Sequence, residues 1–224
     1  TVGGNLAATT DDNNGVITLD TLAVTGTIAL ATNSGGAATV VNASGLNLAT
    51  STLTGTFSGT ATTGDIADAG TLTITGAATF ITRVDGSNII LDSSGNAYAA
   101  QVSLLADTGG SETFGNITFV DSAGVDLDTS ASANGDLFIN AGTDGAVGGN
   151  LSITATTGNI TQVVALAVTG TTTLVTSADN ATIALGTTTN AFTGALTITT
   201  NDSSGTDADV TIDGGTTALV IAAS

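Results

Sequence analysis

The chain has 224 residues, 41% of them hydrophobic, which is enough to bury a core, so a charged content of only 9% does not signal disorder. Nineteen acids face a single base, Arg83, for a formal net charge of −18. Such a field repels polyanions and sets nucleic acid and anionic membrane surfaces aside as partners, and the absence of cysteine, histidine and methionine removes disulfide, thiol and imidazole chemistry.

In chain order, Val2-Gly3-Gly4-Asn5-Leu6 opens in the middle of a phrase that returns as Val147-Gly148-Gly149-Asn150-Leu151. Next comes Leu22-Ala23-Val24-Thr25-Gly26, which returns as Leu166-Ala167-Val168-Thr169-Gly170. The two offsets differ by one residue, and an insertion of that size belongs in a turn. Ser58 to Thr108 then aligns without gaps on Ser152 to Asp202, at an offset of 94, with 17 identities in 51 pairs. Substitutions between these copies keep size and polarity, as in Ile74 to Val168, Phe80 to Leu174 and Tyr98 to Phe192. A fixed period of this kind decides the fold before any single element does.

Within each copy the local signal is strand. Thr71-Leu72-Thr73-Ile74-Thr75, Leu151-Ser152-Ile153-Thr154, Leu196-Thr197-Ile198-Thr199 and Val210-Thr211-Ile212-Asp213 alternate apolar and polar residues. Alanine would permit helix, but it is interleaved with β-branched Thr, Val and Ile and broken by Gly every few residues. The expected fold is an all-β, right-handed parallel β-helix, a β-solenoid with a superrepeat of 94 residues. Residues 1–224 form one continuous segment with repeat copies over 1–57, 58–151 and 152–224, and residues 94 apart stack in one inward column. If a coil takes about 19 to 24 residues, a copy holds four or five coils. The rival is a tandem array of β-sandwiches, one per period. Against it, the Leu-x-Val/Ile-Thr-Gly phrase also recurs at the shorter offset from Leu22 to Leu72.

The run Gly149-Asn150-Leu151-Ser152-Ile153-Thr154-Ala155, followed by Gly158-Asn159-Ile160-Thr161-Gln162, Ala165 to Gly170 and Asn190 to Leu196, resembles the repeat regions of filamentous-haemagglutinin-like giant adhesins of Gram-negative bacteria. That resemblance covers essentially the whole chain. It implies a β-helical shaft, secretion to the cell surface and a role in adhesion or as a stalk. Scarcity of Lys and Arg fits an extracellular location, because few trypsin-type cleavage sites remain.

Candidate sites are few. Polysaccharide lyases and hydrolases built on β-helices combine acids with Lys, Arg or His, whereas here the offset puts Ser177 in the place of Arg83. The chain is therefore not expected to be an enzyme. Clustered oxygen ligands occur at Asp11-Asp12-Asn13-Asn14, at Asp121 to Asp128 and at Asp202, Asp207 and Asp209. The last three form the best calcium candidate, set against solvated acidic turns as the plain alternative. Outward threonines invite an ice-binding reading, but Thr suits any exposed strand. Glycosylation sequons at Asn42, Asn116, Asn159, Asn180 and Asn201 are expected by chance in this composition.

The expected role is a structural shaft, with a carbohydrate-binding or carbohydrate-processing module as the alternative. Expected partners are copies of itself or neighbouring repeats end to end, and host or surface glycans or other cells. Val2-Gly3-Gly4 and Leu219-Val220-Ile221 carry no obvious cap, which suggests a longer polypeptide or end-to-end stacking. No run approaches the roughly 20 apolar residues of a membrane span, so no membrane insertion is expected.

Overall fold

An apolar residue alternating with Thr, Ser or Ala, cut by Gly, Asn or Asp every few positions, makes short strands with one face inward and one outward. The computed structural model describes residues 1–106, 115–128, 137–140, 146–186, 190–201, 208–216 and 218–222, and the described residues form strands and turns without a helix. In chain order the strands begin with β1 (Leu6–Asn13), β2 (Ile17–Leu22), β3 (Ile28–Asn33), β4 (Ala38–Asn42), β5 (Leu46–Leu48), β6 (Ser51–Leu53), β7 (Phe57–Ala61) and β8 (Ile66–Asp68). They continue with β9 (Leu72–Ile74), β10 (Ala78–Thr82), β11 (Ile89–Leu91), β12 (Ala97–Tyr98), β13 (Val102–Ala106), β14 (Ile117–Asp121), β15 (Val125–Asp128), β16 (Leu137–Asn140) and β17 (Ala146–Val147). The remainder are β18 (Leu151–Ala155), β19 (Ile160–Gln162), β20 (Ala167–Val168), β21 (Thr172–Asp179), β22 (Ile183–Leu185), β23 (Ala191–Phe192), β24 (Leu196–Asn201) and β25 (Val210–Ile212).

These strands pair in parallel with strands of the neighbouring turn, so the chain winds as a β-solenoid of about eight turns. One ladder runs β2-β4-β7-β10-β13-β16, a second β5-β8-β11-β14-β18-β21-β24, and a third β6-β9-β12. β16 also pairs with β15, whose ladder continues through β19, β22 and β25, while β17, β20 and β23 form a ladder of their own. At roughly 4.8 Å per turn, eight turns rise on the order of 40 Å.

Inward side chains stack in register from turn to turn. Leu46, Ile66, Ile89, Ile117 and Leu151 form one column, with each residue paired to the next. All such columns merge into one apolar cluster from Ile17 to Leu196. Leu72 and Leu166, each 1% exposed, both belong to it, so the tandem β-sandwich alternative is overturned: no closed core repeats with the period. The aromatic rings add an axial file, Phe57 to Phe80 at 5.2 Å, Phe80 to Tyr98 at 6.5 Å and Tyr98 to Phe119 at 5.1 Å between centroids.

Corners hold the coils together by side chain as well as backbone. Asp65 Oδ1 accepts from Asn88 N–H at 2.7 Å, Asn88 Oδ1 from Asn116 N–H at 2.8 Å, Asn116 Oδ1 from Asn150 N–H at 2.9 Å, and Asn150 Oδ1 from Thr171 N–H at 2.8 Å. Beside this ladder the glycines sit where a side chain has no room. A Cβ on Gly149 would collide with the Gly115 carbonyl oxygen, and one on Gly170 with that of Gly149.

The copies correspond strand for strand: β7 to β18, β8 to β19, β9 to β20, β10 to β21, β11 to β22 and β12 to β23 all follow the offset of 94. They do not share columns, which corrects the sequence expectation. β7 lies in the ladder of β4 and β10, whereas β18 continues the ladder of β8, β11 and β14, so the second copy is advanced by one strand position. Rung spacing explains the shift. From Leu46 through Ile66, Ile89, Ile117, Leu151 and Thr172 the steps are 20, 23, 28, 34 and 21 residues. The two long steps use up chain without adding a turn, and a copy spans three turns and one further strand instead of four or five whole coils.

Candidate functional site: a polar chamber in the solenoid core

Strand alternation in β8 puts Ile66 and Asp68 inward and Ala67 outward. Asp68 therefore puts a carboxyl group in a core column, stacked on Leu48. At 9% exposure it is held by three donors from the next turn: Asp92 N–H at 2.9 Å, Ser93 N–H at 3.2 Å and Asn96 Nδ2 at 2.6 Å. Asn96, fully buried, uses its Oδ1 to accept Leu72 N–H at 2.8 Å and so joins Asp68 to the start of β9. Donors of this number satisfy a buried carboxylate that would otherwise be costly.

Two residues on, Tyr98 points into the core with its ring stacked on Phe119. Its hydroxyl is buried without a hydrogen-bond partner. Burial first, then the negative charges of Asp68 and Asp121, hold this phenol well above its ordinary value of 10.0. Asp121, 5% exposed at the end of β14, accepts from Tyr98 N–H at 3.4 Å and from Ala123 N–H at 3.3 Å.

Above β12 the third ladder stops: among the described residues β12 pairs with β9 alone, and the links that continue upward are the backbone bond from Ser122 N–H to the Asn96 carbonyl and the Tyr98 N–H bond to the Asp121 carboxylate. In that gap lies a cavity of about 140 Å³, walled by Tyr98, Phe119, Asp121, Val125 and Leu137 among others.

Residues 35–105 and 134–199 each match the family described as repeats of unknown function (DUF5649), and together they make up more than half of the chain. The chain belongs to the DUF5649 repeat family. Both matches end at equivalent positions, 105 and 199, so the DUF5649 unit and the internal offset of 94 share a register. No curated protein and no solved structure matches the chain.

Comparison of the two DUF5649 copies separates what the fold needs from what it does not. Asn190, the counterpart of Asn96, accepts Leu166 N–H at 2.8 Å as Asn96 does for Leu72. Around it the chemistry is neutral. Gln162 replaces Asp68 and exchanges two bonds with Asn190, Nε2 to Oδ1 at 2.8 Å and Nδ2 to Oε1 at 2.9 Å, while Phe192 replaces Tyr98. Carboxylate and phenol are thus features of the first copy alone.

Of the calcium candidates, Asp202 and Asp207 lie outside the described residues. Asp209 is exposed at the entry to β25, where its carbonyl accepts Ile183 N–H at 3.1 Å. Among the described residues no three acidic or other metal-binding side chains converge. Sequence analysis did not single out Asp68. The available signal was Ile66-Ala67-Asp68 itself, because period two places Asp68 on the face of Ile66.

Proposed function

We propose that the chain is a length of structural shaft in an extracellular adhesin, filament or sheath, a stiff acidic rod made by stacking coils. The observation that carries this reading is the uninterrupted apolar cluster from Ile17 to Leu196, which makes each turn the template for the next. Parallel ladders tie each turn to the next, and one apolar cluster runs through both copies. With a net charge of −18 neighbouring rods repel and stay dispersed. The near absence of Lys and Arg suits a surface exposed to trypsin-like proteases. The likeness to filamentous-haemagglutinin-like repeats agrees with a location on a bacterial surface, and on this reading the chain performs no reaction.

Antibody raised against residues 1–224, used on intact and permeabilised producing cells, tests the location and the role together. Surface label on thin rods that lengthen by ~16 Å for each added copy of three and a third turns is the expected result. Label confined to permeabilised cells, or globular particles, overturns it. Cleavage of a polysaccharide by the purified chain would favour a carbohydrate-processing module instead.

A further inference from the structure

Two features meet above β12: the ladder ends there in a cavity of about 140 Å³, and the buried Tyr98 hydroxyl has no partner. We infer that this cavity is a binding site for a small organic ammonium ion. A dry cavity of about 150 Å³ accepts benzene, so a ligand of about five or six non-hydrogen atoms fits.

The wall chemistry selects the charge. Tyr98 and Phe119, stacked with centroids 5.1 Å apart, offer ring faces, and Asp121 contributes a carboxylate. Asp68 and Asp121 both act on the Tyr98 hydroxyl as negative charges, so that oxygen favours accepting a hydrogen bond from a cationic donor. Val125 and Leu137 supply an apolar wall for the carbon substituents. A bare metal ion is the poorer occupant, because among the described residues no set of three acidic ligands converges. Arg83 is the only basic residue in the sequence, which leaves the −18 field to draw cations from solution.

The second copy is an internal control. It folds with Gln162 and Phe192 where the first has Asp68 and Tyr98, and it keeps the Asn190 bridge, so the carboxylate and the phenol are not demanded by the coil. Tyr98 lines the cavity beside Asp121, and Asp68 lies outside the lining, where its charge acts on the Tyr98 hydroxyl.

The test uses the intact chain and two probes of one shape, tert-butylammonium and tert-butanol. The chain holds one tyrosine and no tryptophan, so its intrinsic fluorescence reports Tyr98 alone, with calorimetry as a second readout. A saturable response to tert-butylammonium at constant ionic strength is expected, about ten-fold tighter than to tert-butanol. Asp68→Gln and Tyr98→Phe import residues that the second copy already carries, and each is expected to weaken ammonium binding about five- to ten-fold by calorimetry with the urea midpoint retained. Equal affinity for both probes, no saturable response to either, or unchanged binding in the double variant would overturn the assignment.

Discussion

Asn96 and Asn190 show one side chain doing the same mechanical work in two electrostatic settings. Each accepts the N–H that opens the next strand of the coil below, and each donates to an inward polar residue, Asp68 in one case and Gln162 in the other. Truncation strands a backbone donor in both, but only in the first copy does a carboxylate also lose its shortest donor. Asn96→Ala is therefore expected to cost about 2–4 kcal/mol in urea unfolding, and Asn190→Ala less than that. Tyr98 gives a second residue-scale outcome. Its folded pKa lies above the unfolded value, so above pH 10 the unfolded chain loses the proton while the folded chain keeps it. Stability is then full below pH 10 and falls by about 1.4 kcal/mol per pH unit above it, until the folded phenol ionises. With no lysine or cysteine in the chain, Tyr98→Phe should flatten that slope, as read by denaturant unfolding between pH 9 and 12. The pairing of Asn96 with Asn190 was legible in the sequence as a matched position. Their burial was not, because an Asn at the entry to a short strand reads as a turn residue until the coil below is in place.

At the scale of the element, strand positions and corners obey different constraints. Strands β7 and β18 have the same in-out pattern, five residues with the first, third and fifth buried, and the sequence showed this directly through period two. Corners depend on what lies beneath them. Gly149 sits over the Gly115 carbonyl, whereas Gly3 has nothing within 4 Å of where a Cβ would be. Gly149→Ala is thus expected to cost about 2 kcal/mol or more, and Gly3→Ala to stay within about 0.5 kcal/mol of the parent, in thermal or urea unfolding. Both glycines belong to the same repeated phrase, Val-Gly-Gly-Asn-Leu, at different positions within it. The contrast comes from the neighbouring turn, which no local pattern encodes.

Across the whole molecule, stability is a sum of turns and of the contacts between them. Central strands such as β7 and β10 have both neighbours and bury alternate residues, while β1 and β25 are largely exposed. Amide exchange of this chain is expected to be slowest through β7 to β11 and fastest in β1 and β25, and uniform protection along the axis would contradict a solenoid built from nearest-neighbour terms. What the sequence determined by itself was the all-β character, the in-out alternation of its clearest strands and the repeat, because period two and the offset of 94 are properties of the chain read in order. What only the tertiary structure decided was phase. The steps of 28 and 34 residues before Ile117 and Leu151 move the second copy one ladder onward, bring Asp121 and Phe119 beside Tyr98, and open the cavity there. Loop length can be counted from the sequence, but whether extra residues add a turn or bulge from one is settled by which backbone groups find partners in the turn below.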